Sequence, residues 1–154
     1  MGKFITSVRD HLILDARALL ADDDRQYLHA LGRSIPPAVP VRLIIDTGSG
    51  MSSLIPSVVE QLNLQSVGRT RVDTSLSSGR SELFTVRIEF PGTSLNAIPD
   101  LLVARLGLPP SLQAFHGVIG RDVLRRWEYF RYEGRRQRLT IRDTPNPLMR
   151  WLGG

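Results

Sequence analysis

The chain has 154 residues, 42% hydrophobic and 23% charged, with no cysteine and a net charge of +5. That length suits a single hydrophobic core, the balance is that of a soluble globule, and the missing thiols exclude a disulfide framework, a cysteine nucleophile and a thiolate metal site. No apolar run reaches the roughly 18 residues of a membrane span, and the first residues lack the basic-then-apolar layout of a secretory signal, so a cytoplasmic protein without membrane contact is expected.

Leu12 to Leu19 mixes apolar and polar positions over a strand's length. Asp22-Asp23-Asp24 opens a helical stretch through Leu31, with acids where a helix N-terminus favours them, and Gly32 ends it. Pro36, Pro37 and Pro40 impose an extended connector, since proline lacks an amide donor and biases its predecessor away from helix. Val41 to Ile45 is a β-branched strand running straight into Asp46-Thr47-Gly48-Ser49-Gly50. Pro56 suits the first turn of a helix ending at Leu62, with Ser53 or Ser52 as candidate cap.

Arg69 to Leu76 and Arg80 to Phe90 predict two strands, with Ser77-Ser78-Gly79 as the hairpin tip between them. Ala97 to Leu106 is a further apolar stretch, broken by Pro109-Pro110. Gly117-Val118-Ile119-Gly120 leads into a helix from Arg121 to Trp127, and Glu128 to Tyr132 pairs with Arg138 to Arg142 across a turn at Gly134. Short strands with two or three short helices and no repeat predict an all-β closed barrel.

An acid directly after a buried strand is costly, because desolvation opposes its charge. Asp46 therefore stands out. Thr47 adds a hydroxyl that can bond backbone, and Gly48 allows a tight turn and close approach of another chain. Asp, Gly and Ser also suit an ordinary strand-ending turn, so the tripeptide alone decides nothing. Val118-Ile119-Gly120 ahead of a short helix is the second element.

With these pieces in this order, the chain from about Val39 to Arg142 resembles the retropepsin-like aspartic proteases. That group includes retroviral proteases, the ubiquitin-linked Ddi-type proteases and bacterial single-domain relatives. His11 to Leu19 is the candidate for the family's first barrel strand, and Leu139-Thr140-Ile141 fits its closing strand. The resemblance implies a closed barrel of the retropepsin type, with Asp46 as catalytic acid and Thr47 bonding across a dimer axis. It also implies that Gly48, Ser49, Val118 and Ile119 meet substrate, and that Ser77, Ser78 and Gly79 lie near the tip of a flap.

Only one such turn occurs: Asp73-Thr74 is followed by Ser75, and Asp143-Thr144 by Pro145. A carboxyl pair therefore needs two chains, and the expectation is a homodimeric endopeptidase acting on peptides, with no cofactor and no metal. The alternative is a non-catalytic dimerisation or binding module on the same barrel. Three departures from the family pattern bear on this choice. Gly50 stands where retroviral sequences carry an acid that partners the arginine of the Gly-Arg pair, here Arg121. Residues 22–40 read as an insertion or connector within a single domain spanning 1–154, and 143–154 as a tail.

Other chemistry finds little support. His11, His29 and His116 lack metal-ligand spacing. There is no Gly-x-Ser-x-Gly elbow and no Walker or dinucleotide glycine pattern. Met1 to Thr6 fits a loose N-myristoylation pattern, outweighed by an ordinary glycine. Seven arginines fall between Arg125 and Arg142. Without an aromatic stacking motif or a helix-turn-helix they read as a solvated hairpin and helix end, and nucleic acid is not expected as a partner.

Overall fold

The computed structural model describes residues 2–7, 10–73 and 78–144. In chain order its elements are β1 (Lys3–Ser7), β2 (Ile13–Leu20), α1 (Asp22–Ala30), β3 (Val39–Ile45), β4 (Ser53–Leu54), α2 (Pro56–Gln61), β5 (Gly68–Asp73) and β6 (Ser78–Glu89). There follow β7 (Ile98–Arg105), β8 (Gly117–Ile119), α3 (Arg121–Leu124), β9 (Trp127–Glu133) and β10 (Arg138–Asp143).

Strict alternation drives the barrel. Leu14, Ala16, Ala18 and Leu20 of β2, and Val39, Val41, Leu43 and Ile45 of β3, turn inward, while their neighbours face out. A strand buried on one side only reads this way, and its register is fixed because a one-residue slip would expose the whole apolar set. The larger sheet runs β2-β3-β8-β4-β7-β6-β5, and β2 pairs again with β6, so six strands close into a ring. The long β6 pairs with β5 through its first half and with β7 and β2 through its second, so the β5–β6 hairpin projects from the ring.

A smaller sheet, β1-β10-β9, lies against this barrel. Leu139 and Ile141 of its middle strand are fully buried in the shared core. Strand β1 falls outside the elements expected from sequence. It owes its place to the register with β10 and to Gly2, whose carbonyl accepts the Asp143 N–H at 2.8 Å. A Cβ on Gly2 would run into the Ser94 carbonyl, so this glycine has a packing role independent of any lipidation pattern.

Three sequence expectations need correction. The helix after Gly120 spans only Arg121–Leu124, because Trp127 is drawn into the core edge-on to Phe90, 6.2 Å between ring centres, and opens β9 instead. Helix α2 begins at Pro56 as expected, but Ile55 precedes it without a side-chain cap: Ser53 lies in β4 and the Ser52 hydroxyl is engaged elsewhere. The hairpin strands pair up to Asp73 and Ser78, so Ser78 and Gly79 start the return strand rather than forming its tip. Ser77, like the tail from 145 onward, lies outside the described residues.

Within the 22–40 segment, α1 presents Asp24, Tyr27 and Leu28 to a cleft of about 460 Å³ whose far wall is Leu62 to Gln65. The segment therefore borders the barrel flank beside α2, and no residue of the Asp46 turn lines that cleft. Gly32 ends the helix region with φ +65°, as a side-chain-free residue readily can. No helix of the described residues is long and apolar enough to cross a membrane.

On the barrel surface Glu89 joins two arginines. Its carboxylate accepts from Arg87 Nε at 2.9 Å and Arg17 Nε at 2.7 Å, and Arg87 also reaches Asp22. The Arg87 hydrogen bond, helped by Arg17 and opposed by burial, holds the Glu89 carboxyl below its ordinary pKa. A depressed folded pKa contributes stability that is present above the unfolded carboxylate range and is lost as pH falls through the folded value. Glu89→Gln is therefore expected to lower Tm by roughly 2–4 °C at neutral pH, with the gap closing in acid; a gap unchanged by pH would refute it.

Candidate active site

Strand β3 ends at Ile45, and the chain turns through residues 46–50 at the mouth of the barrel. Backbone bonds from β8 and α3 fix that turn. The Asp46 N–H donates to the Ile119 carbonyl at 2.9 Å, and the Arg121 N–H to the Ser49 carbonyl at 2.8 Å. Within the turn, Gly48 N–H donates to Asp46 Oδ1 at 2.8 Å and the Ser49 hydroxyl to the Met51 carbonyl at 2.7 Å. Asp46, Thr47 and Gly48 are exposed and Ser49 is half-buried. Among the described residues no cationic side chain forms an ion pair with Asp46. The site is an exposed carboxylate on a rigidly held turn.

Strand β8 lies parallel to β3, with Ile44 opposite Val118 and Ile45 opposite Ile119, and antiparallel to β4 on its other side. The apolar-apolar-glycine segment thus threads beside the Asp46 turn, as its sequence suggests. Gly120 is obligatory in that path. A Cβ there would sit 2.8 Å from the Met51 carbonyl group and 2.9 Å from the Ser49 oxygen.

The strand alternation sorts the neighbouring side chains. Counting back from exposed Asp46, Ile44 and Arg42 share its outward face, while Ile45, Leu43 and Val41 point inward. Val118, in register with Ile44, is half-buried on that same face, and Ile13 pairs with Ile44 from β2. Ile119, expected to meet substrate, instead points into the core at 2% exposure and serves the turn through its carbonyl. Ile44 lies outside the residues that the sequence motifs single out, although the period of two along β3 identifies it.

A second group has no local signature in the sequence. Asp122 accepts from the Ser52 N–H at 2.9 Å and the Ser52 hydroxyl at 2.7 Å, and that hydroxyl accepts the Gly120 N–H at 3.0 Å. Ser52 is 2% exposed. Seventy residues separate the partners, and no local pattern announces such a pair.

Arg121, deprived of an acid at position 50, donates from Nη1 to the Thr47 carbonyl at 2.9 Å. A Cβ on Gly50 would lie 3.5 Å from Arg121 Nη2, an ordinary contact. Gly50→Asp is expected to restore an ion pair and to restrict the unfolded chain, raising stability by about 1 kcal/mol. Urea denaturation measures this, and a lowered midpoint would count against it.

The histidines are not gathered. The ring of His11 meets Phe115 edge-on at 5.3 Å, and His116 Nδ1 accepts the Arg42 N–H at 2.9 Å. Among the described residues no three His, Cys, Asp or Glu side chains are grouped to hold a metal. Gly79 is exposed on the β6 arm, opposite Val72.

This architecture has a solved counterpart. A retropepsin-like aspartic protease from Rickettsia conorii superposes with a TM-score of 0.55 at 14% identity, over 91% of this chain and 90% of that one. The fold is retropepsin-like. The retroviral protease-like domain of Ddi1 from Leishmania major gives a TM-score of 0.46 at 16% identity, covering 89% and 96% of the two chains. No protein-family model matches the sequence, and comparison with curated proteins yields no match. The retropepsin-like fold is carried here by a sequence 14% identical to that of the Rickettsia protein, and the Asp46 turn follows β3 and is tied to β8.

Proposed function

We propose that the chain is a homodimeric aspartic endopeptidase whose site forms when two copies bring their Asp46 carboxyls together on a two-fold axis. The observation that carries this reading is the exposed Asp46 carboxylate, without an ion pair among the described residues, on a turn locked by β8 and α3. Two carboxyls at close quarters cannot both ionise cheaply, so the pair holds one proton. The ionised member takes a proton from a water as that water attacks the scissile carbonyl carbon, and the protonated member hydrogen-bonds the carbonyl oxygen. The tetrahedral intermediate then breaks its C–N bond while the pair delivers a proton to the leaving amine.

In this reading Thr47 bonds across the axis, and Gly48 and Ser49 offer backbone to an extended substrate added as a strand. Ile44 and Val118 border the carboxylates with apolar surface, and the β5–β6 hairpin, including Ser78 and Gly79, acts as the flap. Because each chain supplies one acid, specific activity should fall on dilution in step with dimer dissociation. An inhibitor mimicking the tetrahedral intermediate should bind once per two chains. Sedimentation and titration with such an inhibitor test this, and a fully active monomer or one-to-one binding would sink it.

Gly50 favours a second reading, a binding module on the same fold without proteolysis, since the arginine anchor lacks its usual acid. Failure of that inhibitor to bind a demonstrable dimer would select it.

A further inference from the structure

The charge of the chain is concentrated. Residues 125 to 142 hold seven arginines and two glutamates, an excess of five equal to the net charge of all 154 residues. The rest of the chain is formally neutral.

The smaller sheet carries part of this stretch on β9 and β10. Its registers place Lys3, Arg142 and Tyr129 in one row, Ile5, Thr140 and Arg131 in the next, and Arg138 beside Glu133 in a third. Opposed residues of antiparallel strands point to one face. Leu139 and Ile141, one position off, fill the core, so these rows lie on the sheet's other face; there Thr140, at the centre, is buried at 1% exposure, while Lys3, Ile5 and Arg131 around it are exposed and Tyr129, Arg138 and Arg142 half-buried.

The two glutamates do not cancel the field. Glu128 pairs with Arg142 at 3.0 Å, and Glu133 is gripped by Arg138 at 2.6 Å with Arg136 at 3.5 Å. Its carboxyl is held below the ordinary range, chiefly by the Arg138 hydrogen bond, with Arg131 and Arg136 adding to the pull. Arg125, Arg126, Arg131 and Arg135 remain exposed and form no ion pair among the described residues, Arg131 acting on Glu133 only at longer range.

Guanidinium forks match phosphate oxygens two at a time. An aromatic among them gives a base a stacking surface, and one sheet face can present both to a strand whose bases are unpaired. Tyr129 supplies that aromatic, half-buried, opposite Arg142 and two residues from Arg131 on the same strand face. No linear motif brings it to the arginines; the strand register does. Ile5 is the only aliphatic residue of these rows, too little to enter a bilayer. We propose that the outer face of the β1-β10-β9 sheet binds single-stranded nucleic acid through phosphate contacts and a base stacked on Tyr129.

The test is fluorescence anisotropy with a labelled twelve-nucleotide oligouridylate across a salt series. With three or four phosphate contacts, affinity should fall roughly 20–50-fold between about 50 and 200 mM salt. Arg131→Gln with Arg135→Gln should reduce the log–log slope by about 1.4. Tyr129→Ala should weaken binding about 5-fold or more at fixed salt without changing the slope, and Tyr129→Phe should restore it. Arg25→Gln with Arg33→Gln, on the opposite charge background of α1, and Asp46→Asn should bind as the parent does, which keeps this result separate from the peptidase reading. The proposal is overturned by no binding at 50 mM salt, by a slope indifferent to Arg131 and Arg135, or by equal affinity of Tyr129→Ala. Binding to phosphatidylserine vesicles in place of the oligonucleotide would overturn it as well.

Discussion

Asp46→Asn is expected to reduce peptide-bond hydrolysis by about three to four orders of magnitude while the barrel and the dimer persist. The carboxamide keeps the shape and the oxygen that accepts the Gly48 N–H at 2.8 Å, so the turn retains its main internal bond. What it loses is the proton inventory. An amide neither accepts a proton from water nor shares one with a facing carboxyl, and a symmetric dimer loses both members at once. A mixed dimer of one parent and one variant chain should also be inactive, since a lone carboxylate cannot serve as base and acid together. Assay of a fluorogenic peptide pool, beside circular dichroism and sedimentation of the same preparation, checks this. Cleavage surviving in a folded Asp46→Asn dimer would remove Asp46 from the chemistry.

Much of the fold was legible because β2 and β3 bury one face only, and their alternation states which residues face in. The same alternation carries outward to Asp46 and, two residues earlier, to Ile44. Strand β8 has no such signal: three residues between two neighbours show no period, so Val118 and Ile119 look equivalent in sequence and part company only through pairing with β3. Strand β1 is five residues long and takes its position from β10, far along the chain. Ser52 resembles a cap for α2 by spacing alone. A half-buried carboxylate from α3 competes for its hydroxyl and wins, because a charge-assisted bond is stronger than a neutral cap. Long-range partners of this kind are what a local reading misses, both at Ser52 and on the arginine-rich face.

Asp122→Ala should be the most destabilising of the substitutions considered, at about 3–4 kcal/mol. The carboxylate accepts the Ser52 N–H at 2.9 Å, the Ser52 hydroxyl at 2.7 Å and its own neighbour's Val123 N–H at 2.9 Å. Ser52 in turn holds the Gly120 N–H through its hydroxyl, and its carbonyl accepts the Ala104 N–H at 3.1 Å. Removing the carboxylate leaves two donors of a residue that is 2% exposed without partners, and an unsatisfied buried donor costs about 1–3 kcal/mol. Asp122→Asn, which keeps one acceptor oxygen, should lose roughly half as much. Ser52→Ala and Asp122→Ala should combine non-additively, with a coupling of about 1–2 kcal/mol in a urea-denaturation cycle, because both act on one network. Strict additivity, or a loss under about 1 kcal/mol, would show that water replaces the carboxylate and that the network is not what holds α3. If it does hold α3, the consequence reaches the site: Gly120 packs so closely on the Ser49 and Met51 backbone that a Cβ there would lie 2.8–2.9 Å from it, so a helix set loose at Asp122 shifts the turn that carries Asp46.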